Sequence, residues 1–322
     1  MNVSDSILVT VAMAIYRPNI EWLKEELSSI AAQTYKHFQV YAWNDDPNDE
    51  YDYDFLFSQY LKDIPFRIYH GSQNLGSNKV FEKLTTLVET PYIAYCDQDD
   101  VWIDDKMEKL FVACQYSTVT MAFSDMYVIN RHSEIIADSI TKIRPRQKYY
   151  MQDNILEHLL AKNFVTGCTI LMPTQIAKNA IPFPTVVYHD WWLAACAILQ
   201  GKLYMVDKPL IKYRIYEGNQ SGILKNITDK VSYRQVYIES YHSFIWLLHQ
   251  KFQSSRIVQK YLHWSELRIQ YIDNPSITNA WLLWKCRNFQ PKTVYFELCI
   301  PCIPNCLFKK LIKVVIYNGE RR

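Results

Sequence analysis

Asp97-Gln98-Asp99-Asp100 places three carboxylates in four positions, directly behind the apolar, strand-like run Tyr92-Ile93-Ala94-Tyr95-Cys96. Like charges gathered at the carboxyl end of a buried strand repel one another unless solvent, a basic side chain or a bound cation compensates them. In open α/β sheets ligands bind in the crevice outside those strand ends. Carboxylate oxygens there suit a hard divalent ion, Mg²⁺ or Mn²⁺, of the kind shared with substrate phosphates. The same residues have a second, compatible use: Asp99 or Asp100 could cap a helix over Trp102 to Tyr116. Two further acidic groups stand at element junctions. Asp45 and Asp46 follow the run Phe38 to Trp43, where Asp is also an ordinary turn residue. Asp190 precedes the helical run Trp191 to Leu199, the place of an N-cap.

The elements that must position these groups alternate. Ile7 to Ala14 is a β-rich run, and Ile20 to Gln33 carries Leu23, Leu27, Ile30 and Ala31 at helical spacing. Strands are expected at Phe38 to Trp43, Phe66 to His70 and Tyr92 to Cys96, with helices at Tyr53 to Leu61 and Asn78 to Glu89. Asn74-Leu75-Gly76 is a turn signal between them. Such alternation predicts a mostly parallel sheet. Three strand ends then align Asp45, Asp46 and Asp97 to Asp100 along one rim. Further on, Val119 to Ile129 reads as one or two strands and Arg131 to Gln147 as a mobile polar loop. Strands follow at Phe164 to Met172, Leu203 to Val206 and Leu210 to Arg214. Beyond Gly222 the composition turns helical and aromatic, which sets a domain boundary near residue 222.

The chain has 322 residues, 49% of them hydrophobic and 21% charged, enough for a globular domain with an appendage. A net charge of +2 gives no sign of a polyanion-binding role, and no nucleic-acid partner is expected. The 24 tyrosines favour a surface that grips flat or amphipathic groups such as sugars and bases, although Tyr is equally a packing residue. Met1 to Ser6 lacks a signal-peptide pattern and no run reaches the ~20 apolar residues of a membrane span, so a cytoplasmic location is expected. Cys96, Cys114, Cys168 and Cys196 fall in apolar contexts as reduced thiols. Cys299, Cys302 and Cys306 have a spacing that could hold zinc, but lack an evident fourth ligand.

Several of these pieces together resemble family 2 glycosyltransferases with a GT-A fold, most closely the rhamnosyltransferase-like group of bacterial polysaccharide biosynthesis. They come in the family's order over roughly residues 7–222. Val9-Thr10-Val11-Ala12-Met13 with Tyr16 resembles the first strand and its nucleotide-facing loop. Ser28-Ser29-Ile30 through Gln33-Thr34-Tyr35 resembles the stretch closing the first helix. Asn44-Asp45-Asp46, Asn74-Leu75-Gly76 and Asp97-Gln98-Asp99-Asp100-Val101-Trp102 with Lys106 follow. Gly167-Cys168-Thr169, His189-Asp190-Trp191-Trp192 and Tyr213-Arg214 with Asn219-Gln220 complete the set.

The resemblance implies an α/β, Rossmann-like mixed sheet flanked by helices (residues 1–222) with a helical C-terminal extension (residues 223–322). It implies a donor site for a dTDP- or UDP-sugar at Ala12, Tyr16, Asp45, Asp46, Asn74, Gly76 and Asp97. A Mn²⁺ or Mg²⁺ ion would be held by Asp99 with Asp97 or Asp100. Asp190 is implied as the general base of an inverting transfer, with Trp191 or Trp192 walling a glycan or lipid-linked acceptor. His189 either orients Asp190 or is a packed neighbour, and Arg214 is either a substrate contact or a surface cation. Three positions depart from the pattern: Arg17 replaces a usual Asn, Pro47 a usual Gly, and Tyr216 a His that can assist the metal site. A nucleotidyltransferase is the rival enzyme, but it calls for a Gly-rich phosphate loop and Ala14-Ile15-Tyr16-Arg17-Pro18 has no Gly. A binding protein that kept the fold and lost turnover is the rival of another class.

The tail, Lys285 to Arg322, carries eight basic side chains against Glu297 and Glu320. Leu307 to Tyr317 reads either as an amphipathic helix lying on an anionic bilayer or as a packing helix with a solvated basic face. The first reading would place the protein peripherally on the inner face of the plasma membrane.

Overall fold

The computed structural model describes residues 7–144, 147–151, 153–216 and 227–320. The chain forms two compact units, Met1–Met151 with Phe164–Glu217 and Gln152–Asn163 with Gly218–Arg322. The boundary expected near 222 lies outside the described residues, as do Asn219-Gln220 and Pro145 of the expected loop.

Eleven strands are present among the described residues: β1 (Val9–Ile15), β2 (Phe38–Asn44), β3 (Phe66–His70), β4 (Tyr92–Cys96), β5 (Val101–Trp102), β6 (Val119–Ser124), β7 (Tyr127–Ile129), β8 (Ile135–Ala137), β9 (Leu171–Pro173), β10 (Lys202–Val206) and β11 (Ile211–Arg214). The helices are α1 (Ile20–Ala31), α2 (Tyr53–Leu61), α3 (Ser77–Leu87), α4 (Lys106–Cys114), α5 (Ile140–Ile143), α6 (Ile155–Ala161), α7 (Thr174–Asn179) and α8 (His189–Ile198), then α9 (Lys230–Ser232), α10 (Ser240–Lys251), α11 (Arg256–Asp273), α12 (Ile277–Lys285), α13 (Pro291–Cys299) and α14 (Asn305–Glu320).

In the first unit a seven-stranded sheet runs in the order β10-β6-β9-β4-β1-β2-β3. β1 to β4 are mutually parallel, and β9 runs antiparallel between β4 and β6. β1 is almost wholly apolar and buried, as a central strand covered on both faces must be. α1 begins where the Asn19 side chain accepts from the Glu21 and Trp22 amides, and it buries Leu23, Leu27 and Ile30. A second sheet, β5-β11-β7-β8, pairs β11 antiparallel with β5 and parallel with β7. Asp97 to Asp100 therefore form the crossing from the end of β4 in one sheet to β5 in the other.

Four expectations change. Trp102 is strand and not helix: its pairing with Ile211 outweighs local propensity, and α4 starts only at Lys106 behind Asp105, so neither Asp99 nor Asp100 is a helix cap. Phe164 to Met172 is a strand only from Leu171, because Gly167–Thr169 close a tight 3₁₀ turn first. Arg131 to Gln147 contains β8 and α5 rather than loop alone. α8 begins at His189 with Tyr188 as its N-cap residue, which puts Asp190 inside the first turn and not at the cap.

The second unit is helical. Arg268 on α11 and Glu297 on α13 form a buried ion pair at 2.6 Å, to which the Tyr233 hydroxyl adds a hydrogen bond. On α14, Phe308 and Ile312 join a core with Ile227, Tyr233, Ile238 and Ile300, leaving Leu307, Leu311, Lys309, Lys310 and Lys313 exposed. No helix among the described residues is long and apolar enough to cross a membrane.

Candidate active site

The acidic crossing is built from both sides. Gln98 turns back to β1, accepting from the Tyr16 amide at 2.7 Å and donating to its carbonyl at 3.0 Å. That reciprocal pair fixes the loops at the ends of β1 and β4 against each other, and it holds Tyr16 exposed above the rim. From beneath, the end of α1 braces the segment that follows. Ser29 accepts from the Trp102 amide, while Gln33 donates to the Ile103 carbonyl and accepts from the Met107 amide. The sequence motif at the end of the first helix thus serves as scaffold for the acidic loop.

Arg214, at the end of β11, is fully buried and supplies the third support. Its amide donates to Asp100 Oδ1 and its Nε to the Asp99 carbonyl. The guanidinium also reaches Asn130 O, Ser133 Oγ and, at 2.6 Å, Glu25 Oε2. Neither expectation for Arg214 fits this geometry. It is a staple that shapes the acidic loop, not a surface cation, and its donors are spent on protein groups.

The three aspartates differ. Asp100 is buried, with Oδ2 lacking a hydrogen-bond partner among the described residues, and burial raises its pKa well above the ordinary value. Asp99 is half-buried and accepts from the Tyr216 hydroxyl at 2.8 Å; burial raises its pKa too. Asp97 is half-buried, and burial, followed by the charges of Asp99 and Asp190, lifts its pKa to about 7. Asp97, Asp100 and Cys168 bring one ligand atom each to within 4.8 Å of one another. Asp99 lies outside that group. A buried carboxylate oxygen without a partner among the described residues, beside carboxylates whose charged forms burial disfavours, fits a divalent cation, whose charge would offset both conditions. Two carboxylates suit Mg²⁺ or Mn²⁺, and the thiol adds a softer donor. The thiols of Cys299, Cys302 and Cys306 are exposed, and they form no such group among the described residues.

Under this cluster lie groups that sequence reasoning did not assign. Lys106 is fully buried, donates to the Cys168 carbonyl at 2.7 Å and stands 3.5 Å above the Trp102 ring. Burial lowers its pKa, and its charge pulls Asp97 down against the other influences. Glu26 is buried beside Cys96, whose thiol donates to Oε1, and burial raises the Glu26 pKa to about 8. Its signal was legible: a carboxylate lying in the apolar stripe of Leu23, Leu27 and Ile30.

On the donor side the structure separates the expected residues. Ala12 is buried mid-strand with β2 and β4 on either side, so it offers no surface to a ligand; β1 runs on to Ile15, and Tyr16 is the residue at its end. Asp45 accepts from the Leu75 and Gly76 amides, pinning the Asn74-Leu75-Gly76 turn and leaving Asn74 exposed. Gly76 takes φ +77°, a conformation that favours glycine. Asp46 accepts from Arg17 Nε at 2.7 Å and from the Asn48 amide, and the Arg17 hydrogen bond holds its pKa below the usual range. Arg17, the departure from the family pattern, is thereby the direct partner of Asp46.

On the opposite side Asn78 accepts from the His189 amide and donates to the Pro184 and Val187 carbonyls, setting the entry of α8. His189 packs against Phe81 and Tyr95 with both ring nitrogens buried and without a hydrogen-bond partner among the described residues, the setting of a packed neighbour. Burial lowers its pKa to about 3. Asp190 is half-buried, accepts from the Trp191 amide at 2.6 Å and lies close enough to Asp97 for its charge to be felt there. Trp192 donates to the Ala180 carbonyl inside the core, and Trp191 is the half-buried member of the pair.

Known proteins share this fold. The solved structure of S. aureus TarS 1-349 in complex with UDP-GlcNAc superimposes with a TM-score of 0.57 at 13% identity, covering 79% of this chain and 70% of that one. That likeness establishes the GT-A fold. A UDP-Glc:alpha-D-GlcNAc-diphosphoundecaprenol beta-1,3-glucosyltransferase of Escherichia coli is 22% identical over 224 residues, 69% of this chain and 81% of that protein. A dTDP-rhamnosyl transferase of Shigella flexneri is 22% identical over 236 residues, 67% of this chain and 75% of the other. The sequence pattern described as Glycosyl transferase family 2 matches residues 10–178, more than half of the chain, and the protein belongs to that family.

Proposed function

We propose that this protein is an inverting, metal-dependent glycosyltransferase of cell-surface polysaccharide synthesis. It moves a sugar from a dTDP- or UDP-sugar to a glycan or lipid-linked glycan, with rhamnose from dTDP-rhamnose the favoured donor. The observation that carries this reading is the group of Asp97, Asp100 and Cys168 at the end of β4, with Asp190 of α8 near enough for its charge to act on Asp97. A proton acceptor and a cation-binding carboxylate on one rim are what displacement at an anomeric carbon requires.

Asp97 and Asp100, with Cys168 beside them, would hold Mn²⁺ or Mg²⁺; Asp99 would join when Tyr216 yields its carboxylate. The ion's chemistry is to offset the charge growing on the departing diphosphate. Tyr16 and Asp46 border the donor's nucleoside, with Arg17 placed to exchange Asp46 for a phosphate oxygen. Asp190 takes the proton of the acceptor hydroxyl onto its carboxylate, and Trp191 supplies a flat wall for the acceptor ring. A lipid-linked acceptor would place this work at the inner face of the membrane. The two relatives name different sugars at the same identity, so the donor is decided by experiment.

Nucleotide sugars incubated with protein and Mn²⁺ should release nucleoside diphosphate, the dTDP compound fastest. Asp190→Asn should lower transfer about 10²–10⁴-fold while calorimetric binding of the nucleoside diphosphate is preserved. Transfer at the wild-type rate in that variant removes the base assignment, and release of pyrophosphate instead would point to nucleotidyl transfer.

A further inference from the structure

We infer that α12 is a docking surface for an anionic lipid bilayer. Ile277, Trp281 and Trp284 recur at i, i+4 and i+7, which places them within about 60° of one another on a helix. They are 92%, 52% and 42% exposed, whereas the opposite side buries Asn279 and Leu283. Such a stripe is the reverse of what a helix folding onto its own core shows. It stands in a segment with no acidic residue between Asp273 and Glu297, where the charges are Lys285, Arg287 and Lys292. Two of these cations lie on the exposed rings: Lys285 Nζ is 3.3 Å from the Trp281 centroid and the Arg287 guanidinium 3.9 Å from that of Trp284.

This combination selects the occupant. Indole rings bearing stacked cations match the boundary between headgroups and acyl chains, where an amphipathic ring is apolar on one side and wet on the other. Basic side chains in a stretch of chain without acidic residues complement anionic headgroups, each strengthening partition about fivefold near such a surface. A second copy of this chain would bring the same three cations against themselves. The exposed Leu307 and Leu311 of α14, with Lys309, Lys310 and Lys313, repeat the pattern more weakly, since Phe308 beside them is buried.

The surface deepens the proposal that the acceptor is lipid-linked, and its test is separate because vesicle binding needs no sugar transfer. The full chain is sedimented with phosphatidylcholine vesicles with and without phosphatidylglycerol. Binding is expected only with phosphatidylglycerol. Trp281→Ala/Trp284→Ala should weaken it at least about tenfold, and Lys285→Gln/Arg287→Gln/Lys292→Gln about a hundredfold. Lys309→Gln/Lys310→Gln/Lys313→Gln should weaken it less than either. Circular dichroism and nucleoside diphosphate release should match wild type in all three variants. Wild-type protein that ignores anionic vesicles, or α12 variants that bind like wild type, would overturn the assignment whatever the transferase assay shows.

Discussion

His189 shows how much one side chain's surroundings decide. An imidazole in water titrates near 6.5, but the ring between Phe81 and Tyr95 is buried without a hydrogen-bond partner among the described residues, and its pKa falls to about 3. Between those values the unfolded chain takes up a proton that the native ring refuses. Stability from this group is therefore intact above pH 6.5 and lost as pH falls toward 3, by up to about 1.4 kcal/mol per unit. Urea unfolding at pH 7 and pH 4.5 should show a larger loss for wild type than for His189→Gln, by about 2 kcal/mol; equal losses would remove the burial argument. Residue types at this scale were readable from sequence, and their settings were not. Asp97, Asp99 and Asp100 look alike in the chain, yet one is grouped with Cys168, one meets Tyr216 and one accepts from the Arg214 amide, because their partners come from about 70 to over a hundred residues away.

Elements of regular period were legible, and short ones fixed by distant partners were not. β3, β4 and α2 follow from local pattern alone. β5 has two residues, and only its pairing with β11 makes it a strand. The 3₁₀ turn at Gly167–Thr169 is another such element, and it carries a prediction. A Cβ on Gly167 would come within 2.5 Å of His189 Nε2, and the ring is held on its other sides by Phe81 and Tyr95. With the ring held in this way, Gly167→Ala is expected to displace the start of α8, and with it Asp190. The expected costs are about 1–3 kcal/mol in unfolding free energy and a drop in kcat, since a small misplacement of a reacting group is costly. Binding of nucleoside diphosphate should change little. An Ala variant with unaltered stability and kcat would show that the ring can move aside, and that α8 does not need this contact.

At the scale of the whole molecule, each unit has a core of its own, and the chain enters the helical unit twice, at Gln152–Asn163 and again from Gly218. Sequence reading placed one boundary because composition shifts once; the earlier excursion is a single short helix, α6, with nothing in its composition to mark it. The helical unit also centres on something composition hides. Arg268 and Glu297 are both fully buried, with Trp264 and Tyr241 under the guanidinium at 4.8 and 5.1 Å. Removing one partner of such a pair strands the other in a medium that solvates it poorly, whereas removing both leaves an apolar gap to fill. Arg268→Met should therefore lower the unfolding free energy by about 3–5 kcal/mol. The double variant Arg268→Met/Glu297→Leu should recover at least half of that loss, although the Tyr233 hydroxyl gives up its acceptor in it. If the double variant proves as unstable as the single one, the shape of the ionic lock, and not its charge balance, is what holds α11 to α13.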